Sequence, residues 1–273
     1  MKTSKLTLTL QAALFLGALS TASAHISYTG RNFGTYSGTD LTSTITNQNV
    51  SGEHGWADAT DANLGDTHKT RAFRFSLTTN AWVTLSFQGL AYTAGVSSFT
   101  ALALPAFSLY RGIAAANTHD GSTNSIAWRD TTYGTNATEG SLNALGDWKI
   151  GTDGQTNFSQ LSSFTYIGNA ADGTSANYGT PAPSLMLTDG STVPNGAING
   201  DGNANGAVSG SFYLASGDYS VFVGGANYAG VNTNTSYGIQ GTFAAVPEPS
   251  TYALMALGAM VLAAAFRRRM GRG

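Results

Sequence analysis

Three carboxylates lie close together in the stretch GWADATDANLGDTHKTRAF, where Asp58, Asp61 and Asp66 fall within nine residues of the chain. Carboxylate oxygens are preferred calcium ligands, so this spacing is typical of a calcium site in a loop. The same residue type also favours turns and caps, and Lys69 and Arg71 follow closely enough to offset the negative charge. Calcium binding and turn formation are therefore alternative predictions for this stretch.

A second candidate calcium loop lies in NGDGNANGAVSGSF. Asp201, Asn203 and Asn205 have the spacing of the first half of a D-x-N-x-N-G calcium loop, in which alternate side chains turn their oxygens inward. Gly206 follows where such loops need a sharp bend. The twelfth position, which normally provides a bidentate glutamate, is Phe212. A turn between two strands is the alternative prediction.

The sequence contains no common catalytic motif. There is no G-x-S-x-G nucleophile elbow, no H-E-x-x-H zinc helix and no P-loop, and the chain has no cysteine. Glu53 and Glu139 are the only glutamates between residues 25 and 246, and either could pair with an aspartate, but no pattern marks such a carboxylate pair for glycoside hydrolysis. We therefore predict no catalytic residue, no enzymatic activity and no required cofactor.

Charge is unevenly distributed along the chain. Six of the thirteen Lys and Arg residues lie in the two ends, whereas residues 25–246 contain seven basic and fourteen acidic side chains, a net charge of −7. An acidic surface repels phosphate backbones and anionic lipid headgroups. We therefore expect no nucleic-acid partner.

The first 24 residues are typical of a secretory signal peptide. A short cationic start precedes an apolar stretch over residues 6–19, and Ala22 and Ala24 fit an A-x-A cleavage site. This pattern predicts export by the Sec machinery and removal of residues 1–24 by signal peptidase. The mature chain would then begin at His25.

A histidine at a mature N-terminus is a candidate copper ligand. His25 would offer its amine and an imidazole nitrogen, and with a second histidine it would match the copper brace of lytic polysaccharide monooxygenases. His54, His68 and His119 are the available partners. The surrounding HISYTGRNFG has no other feature of those enzymes. A copper-dependent oxidase using His25 is therefore the disfavoured alternative, and calcium remains the candidate metal.

The C-terminal end has three parts in a fixed order. Pro247, Glu248 and Pro249 come first, followed by an uncharged segment over residues 252–266 and then by an arginine cluster, Arg267, Arg268 and Arg269. Fifteen residues span about 22 Å as a helix, against a hydrocarbon core of about 30 Å. The arginines would hold their end of that helix in the cytoplasm. We predict a linker over residues 243–251 and a short transmembrane helix with an Arg-rich tail over residues 252–273.

This arrangement over residues 246–273 resembles the PEP-CTERM sorting signal of Gram-negative bacteria. The resemblance implies recognition by exosortase, a membrane-embedded cysteine enzyme that removes the tail. It also implies a chain that is anchored transiently in the inner membrane and then reaches the cell surface or the extracellular space.

Residues 25–242 show the alternation of β-strands. RAFRFSLTTNAWVTLSFQGL has two alternating apolar runs around a short turn, which predicts a hairpin with one buried face. SGSFYLASGDYSVFVGGANY shows the same pattern, and AFSLYRG indicates a further strand. No helical periodicity is evident. We therefore predict an all-β body, a β-sandwich or jelly roll with long loops rich in Gly, Asn, Ser and Thr.

The segments FRFSLTTNAWVTLSF, FSLYRG and FYLASGDYSVFVGG also resemble the bacterial pre-peptidase C-terminal domain, a β-sandwich appended to secreted proteins. Trp56, Trp82, Trp128 and Trp148 suit either a sandwich core or an exposed sugar-binding face. We predict an exported, non-catalytic structural or adhesive component of the cell surface or of an exopolysaccharide or biofilm matrix. A secreted carbohydrate-binding module is the alternative.

Overall fold

The computed structural model describes residues 25–57, 64–133, 140–173, 201–227 and 235–247. Over these ranges the chain forms twelve strands, one α-helix and a short 3-10 helix over Phe158–Gln160. In chain order the elements are β1 (Asn32–Tyr36), β2 (Leu41–Ser51), β3 (Arg71–Leu77), β4 (Ala81–Gly89), β5 (Tyr92–Ala94), β6 (Ser97–Ala101), β7 (Pro105–Arg111), α1 (Thr123–Tyr133), β8 (Trp148–Ile150), β9 (Ser162–Ala171), β10 (Ala207–Leu214), β11 (Gly217–Gly225) and β12 (Ser236–Pro247).

The strands form two sheets. The first sheet has the order β1-β3-β11-β7-β9-β8, and the second has the order β10-β4-β12-β6-β5, with β2 also paired to β12. The β1–β3 and β12–β6 pairs are parallel, and the other strand pairs are antiparallel. The all-β sandwich predicted from the alternating pattern is confirmed. Among the described residues no helix is long and apolar enough to cross a membrane, and the helix predicted over residues 252–273 lies outside them.

Aromatic side chains fill the space between the two sheets. Phe75 of the first sheet and Phe243 of the second have ring centroids 4.8 Å apart, and Phe87 and Phe107 meet at 5.2 Å. Each is almost completely buried. Full burial of a side chain of this size contributes about 1.5–3 kcal/mol, so these contacts hold the sheets together. The inward positions of β3 and β4 agree with the sequence pattern.

The predicted hairpins are wrong in their pairing. β3 and β4 are consecutive but belong to different sheets, and the same holds for β10 and β11. Each connection therefore crosses from one sheet to the other instead of closing a hairpin. Alternation of apolar residues shows which face of a strand is buried, and it is the same whether two strands lie side by side or face each other across the core.

The sandwich extends beyond residue 242, where the predicted body ends. Strand β12 continues to Pro247, and the Phe243 side chain is fully buried in the core. Residues 243–247 therefore form part of the sheet and do not begin a linker. The rest of the predicted linker lies outside the described residues.

A second layer covers the other face of the first sheet. This layer includes α1, which the sequence did not predict. Beneath it lies an aromatic cluster that the sheet itself supplies, in which Trp148 of β8 stacks on Phe164 of β9 with ring centroids 4.5 Å apart. The buried residues of α1 are Ser125, Arg129 and Tyr133, spaced four apart. Ser125 and Arg129 are polar, and hydrogen bonds to the backbone satisfy them where they are buried. The helix therefore lacks the apolar periodicity from which an amphipathic helix is predicted.

Candidate functional site

The sorting tail leaves the sandwich from an exposed position. Val246 is 46% exposed and precedes Pro247, the last residue of β12. Glu248, Pro249 and the arginine cluster Arg267, Arg268 and Arg269 lie outside the described residues, as do Ala22 and Ala24 of the predicted signal cleavage site. The tail is therefore rooted in a structural strand and accessible where it begins.

Beside this root, the second sheet presents a polar outer face. The term outer face is used below for the surface formed by the outward-pointing residues of β10, β4, β12 and β2. One row across it consists of Ser209, Ser86, Thr242 and Thr44, which are aligned by the pairing of the four strands. Ser86 Oγ donates to Ser209 Oγ at 3.0 Å, and the hydroxyls of Thr44 and Thr242 are 3.2 Å apart. The next row continues the pattern, since Thr84 and Ser211 share a 2.8 Å hydrogen bond.

The outer face ends in an exposed aromatic pair. Trp82 lies opposite Tyr213 on one side and Val246 on the other. The Trp82 and Tyr213 side chains are 46% and 47% exposed, with ring centroids 5.6 Å apart. Trp82 alternates with the inward Val83, so the β4 pattern already indicated its exposure. Tyr213 was missed because its position beside Trp82 depends on a pairing that alternation does not specify.

The opposite end of the outer face is a groove of about 310 Å³. Gln88 and Gln240 are paired across its floor, and Asp201 and Asn205 contribute to its lining. From Trp82 to Gln88 the face extends about 20 Å along β4, at about 3.4 Å per residue. It therefore combines hydroxyls, amides and a carboxylate with aromatic rings, which are the groups that recognise sugars.

The predicted calcium loop at residues 201–206 forms a turn at the edge of this groove. Asp201 Oδ1 accepts from the backbone N–H of Asn203 at 2.9 Å and from that of Gly173 at 3.2 Å. Asn205 Oδ1 accepts from the N–H of Ala207 at 3.0 Å. These side-chain oxygens therefore stabilise the turn by local hydrogen bonds.

A buried carboxylate, that of Asp172, also stabilises this loop through hydrogen bonds to its backbone. Asp172 is fully buried and accepts from the N–H of Asn205 at 3.1 Å and from that of Gly206 at 2.7 Å. Burial raises the pKa of Asp172, although the hydrogen bonds from this loop act in the opposite direction. No local pattern marks Asp172, because Asn205 and Gly206 are more than thirty residues away in the chain.

Asp66, the described member of the other candidate calcium stretch, lies in a different place. Ligand atoms of Asp66, His68 and Asp120 all lie within 4.8 Å of one another. Asp66 Oδ1 accepts from the backbone N–H of His68 at 2.7 Å and is 2.8 Å from its Nδ1. Burial raises the pKa of Asp66, but the interactions with His68 and the charge of Lys69 together outweigh burial, so the net shift is downward. Asp58 and Asp61 lie outside the described residues.

Asp120 in this cluster has an evident structural role. Its Oδ2 accepts from the N–H and the hydroxyl of Thr67 at 3.1 and 2.8 Å. Its Oδ1 accepts from the hydroxyl of Ser141 at 2.7 Å and from the N–H of the same residue. Asp120 therefore ties three separate segments together, and each of its oxygens already has two partners.

The structure brings His25 next to one of its three candidate partners. His25 forms an isolated antiparallel bridge with His119, and their ring centroids are 5.7 Å apart. His119 Nδ1 is 3.3 Å from Asp153 Oδ1, an arrangement that leaves Nε2 for another ligand. His54 and His68 pair elsewhere, with Ala226 and Asp66. Two imidazoles at this separation suit a shared metal ion.

The other tryptophans are not exposed in this way. Trp56 and Trp148 are fully buried in the hydrophobic clusters, and Trp128 is partly buried against the aromatic layer of the first sheet. Trp56 Nε1 donates to Ser108 Oγ at 2.7 Å, which satisfies its polar atom within the core. Of the predicted sugar-binding candidates, only Trp82 therefore presents a largely open ring.

Comparison with known protein families identifies the C-terminal tail, and comparison with solved structures finds a general resemblance to the body. The family model of the PEP-CTERM protein-sorting motif matches residues 245–269. No curated protein matches the chain.

Two solved structures resemble the body at low sequence identity. CorA of Methylomicrobium album BG8, described as a surface-associated copper-binding protein important in copper acquisition, is 15% identical with a TM-score of 0.43, covering 80% of this chain and 98% of CorA. MopE of Methylococcus capsulatus, described as a secreted protein in which an oxidized tryptophan facilitates copper binding, is 17% identical with a TM-score of 0.40, covering 83% of this chain and 92% of MopE. This chain therefore carries a PEP-CTERM protein-sorting motif at residues 245–269, which supports an exported surface protein of the kind that exosortase sorts.

Proposed function

We propose that the protein is a non-catalytic adhesive component of the cell surface or extracellular matrix, and that its outer face binds exopolysaccharide. The observation on which this depends is the exposed Trp82–Tyr213 pair at the end of a hydroxyl-lined sheet. A cross-strand aromatic pair contributes only about 0.2–1 kcal/mol to folding, so stability alone gives little reason to leave two large rings half exposed. The two rings are tilted by 50° to each other, and each offers an exposed apolar face on which a sugar ring can stack.

The rest of the outer face supplies what a polysaccharide needs beyond stacking. Rows of Ser and Thr hydroxyls follow the aromatic pair, and the groove with Gln88 and Gln240 adds amide donors and acceptors. The rows repeat along the strand about every 7 Å, since outward residues alternate. A repeating array on a rigid sheet suits a repeating polymer better than a single small molecule.

The route to the matrix follows from the ends of the chain. In this proposal the Sec machinery exports the protein, signal peptidase removes residues 1–24, and the apolar segment over residues 252–266 holds it transiently in the inner membrane. Exosortase then removes the tail. Because β12 ends at Pro247, cleavage beyond that residue leaves every described strand intact.

Co-sedimentation of the purified protein with exopolysaccharide from its native host tests the proposed binding. We expect the wild type to bind saturably, and Trp82→Ala or Tyr213→Ala to weaken binding about tenfold, which corresponds to about 1.4 kcal/mol. Phe158→Ala is the matched control, since Phe158 is 37% exposed and lies on another part of the surface. Binding unchanged in both outer-face variants, or reduced equally by Phe158→Ala, would overturn the proposal.

Copper binding at His25 and His119 is a second candidate function, favoured by the 5.7 Å approach of their rings. After removal of the signal peptide, the residues fit copper because the His25 amine and two imidazoles supply three nitrogen ligands. Asp153 would hold the His119 ring through its other nitrogen. Copper would supply redox chemistry, and the oxidase alternative depends on it.

Equilibrium dialysis with copper, followed by metal analysis, tests this second candidate. We expect one copper per protein that begins at His25 and loss of that copper in His119→Ala, with His54→Gln as the control. A protein that takes up no copper at micromolar concentration would exclude both the site and the oxidase alternative.

A further inference from the structure

Three of the seven basic side chains between residues 25 and 246 converge beside the N-terminal segment of the body. Arg31 and Arg71 line a small cavity that also borders His25, and Arg74 lines the larger cleft next to it. The same part of the sequence has a net charge of −7. This group therefore concentrates positive charge within a part of the chain that is acidic overall.

Arg31 has only neutral partners. Its Nε donates to the carbonyl oxygen of Ala72 at 3.0 Å, and its two terminal nitrogens donate to the carbonyl oxygen of Ser27 at 2.6 Å and to Oε1 of Gln48 at 3.2 Å. A guanidinium has five N–H groups, so donor capacity remains beyond these three bonds. The contacts fix the guanidinium in position and leave its charge unbalanced.

Arg71 is in the same situation. It donates to the carbonyl oxygen of Thr70 at 3.2 Å and to Oδ1 of Asn49 at 3.5 Å. The ion pairs found among the described residues include neither Arg71 nor Arg31. Burial lowers the pKa of Arg31, and the nearby charge of Arg71 lowers it further. Arg31 and Arg71 are thus two partly buried positive charges with only neutral partners, an arrangement that is unfavourable in free energy. An anion between the two guanidinium groups would offset much of that unfavourable free energy.

The cavity that they line has a further donor and a suitable size. Its volume is about 40 Å³, which is room for a small ion or the charged end of a larger molecule. Thr70 also borders it. Thr70 is 2% exposed, and its Oγ1 is buried without a hydrogen-bond partner. A buried hydroxyl without a partner costs about 1–3 kcal/mol, so a ligand that accepts from it would be stabilised.

We infer that the cavity lined by Arg31, Thr70 and Arg71 binds an oxyanion. Guanidinium groups match the paired oxygens of carboxylate, sulfate and phosphate, and a hydroxyl adds a third donor type. The adjoining cleft has a volume of about 410 Å³ and shares His25, Ile26 and Ser27 with the cavity. The oxyanion can therefore be a free inorganic ion or the carboxylate of an acidic sugar that lies in the cleft.

This site is independent of the outer face that we propose binds polysaccharide. Arg71 and Arg74 belong to β3 of the first sheet, whereas Trp82 and Tyr213 belong to the second. Loss of polysaccharide binding in Trp82→Ala therefore has no bearing on the oxyanion site, and the reverse also holds.

Isothermal titration and thermal unfolding of the purified full-length protein test the inference. The probes are sodium sulfate, sodium phosphate and sodium glucuronate, each compared with sodium chloride at matched ionic strength and with glucose. We expect at least one oxyanion to bind saturably at one site and to raise the Tm beyond the effect of chloride. Tighter binding of glucuronate than of the inorganic ions would identify an acidic sugar as the source, and the opposite order a free ion.

Three variants make the test specific. Arg71→Gln should weaken oxyanion binding at least tenfold, and Thr70→Val should weaken it several-fold while the protein stays folded, because the lost hydroxyl has no partner in the structure. Arg111→Gln is the control, since Arg111 is exposed and lies at the far end of β7. Thr70→Val also keeps the test valid if Arg71→Gln does not fold. No saturable binding by the wild type, or an equal loss in Arg111→Gln, would overturn the inference.

Discussion

Trp82 on β4 lies directly opposite Tyr213 on β10, and both rings remain about half exposed while their centroids are 5.6 Å apart. Their inward neighbours, Val83 and Leu214, are buried in the sandwich core. The pair is therefore held in place by a rigid sheet but contributes little to the core itself. This separation of binding and folding roles can be tested.

We expect the double variant Trp82→Ala/Tyr213→Ala to change the free energy of unfolding by less than about 1 kcal/mol, as is usual for surface positions. Urea unfolding followed by circular dichroism measures this change. A loss of several kcal/mol would show that the pair is part of the structural framework, and the binding results for the single variants would then need another explanation.

Phe243→Ala should have the opposite effect. Because this side chain is fully buried between the sheets, its truncation should cost about 3–5 kcal/mol through lost transfer energy and a residual cavity. Val246→Ala, three residues later and 46% exposed, is the matched control and should change stability by less than about 0.5 kcal/mol. Equal effects of the two variants would contradict the assignment of residues 243–247 to β12.

Asp120→Ala should destabilise the protein by about 3 kcal/mol, because it removes an acceptor on which the buried groups of Thr67 and Ser141 depend. Asp153→Ala, with a side chain 75% exposed, is the control. We expect the same loss in excess calcium and in excess chelator. A loss that appears only with calcium present would mean that the group of Asp66, His68 and Asp120 binds the ion.

Alkaline pH should destabilise the protein through its buried tyrosines. Burial raises the pKa of Tyr166, and likewise that of Tyr133, from 10.0 to about 12. Between these values the unfolded chain releases protons that the folded protein retains. Stability is therefore fully present below about pH 10 and is lost as the pH rises towards about 12.

Urea unfolding across this range gives the slope of stability against pH. The slope of the unfolding free energy against pH reports how many protons the unfolded chain releases. We expect Tyr166→Phe to lower this number by up to one. Tyr213→Phe changes a half-exposed phenol and provides the comparison. An unchanged slope in Tyr166→Phe would contradict the raised pKa of Tyr166.

The sequence predicted which residues face the core better than which strands pair. Phe73 and Val83 alternate correctly in β3 and β4, but alternation cannot show that the two strands belong to different sheets. Helix α1 escaped prediction because its buried face includes Ser125 and Arg129. The local pattern of apolar residues therefore reveals neither which strands pair nor which helices bury polar side chains.

The candidate sites show the same limit. The exposure of Trp82 could be derived from its own strand, but its partner Tyr213 comes from a strand more than one hundred residues away. The approach of His25 to His119, and that of Arg31 to Arg71, likewise depend on long-range pairing. The sorting motif was predictable because its parts are contiguous in sequence.

The central claim is that the protein is exported, processed at both ends and retained as a surface sandwich. Intact mass and terminal peptide analysis of the protein recovered from its native host test this claim most directly. We predict a mature chain that begins at His25 and lacks Arg267, Arg268 and Arg269, with β12 complete through Pro247. A mature surface protein that still ends in the arginine cluster would contradict removal of the tail by exosortase.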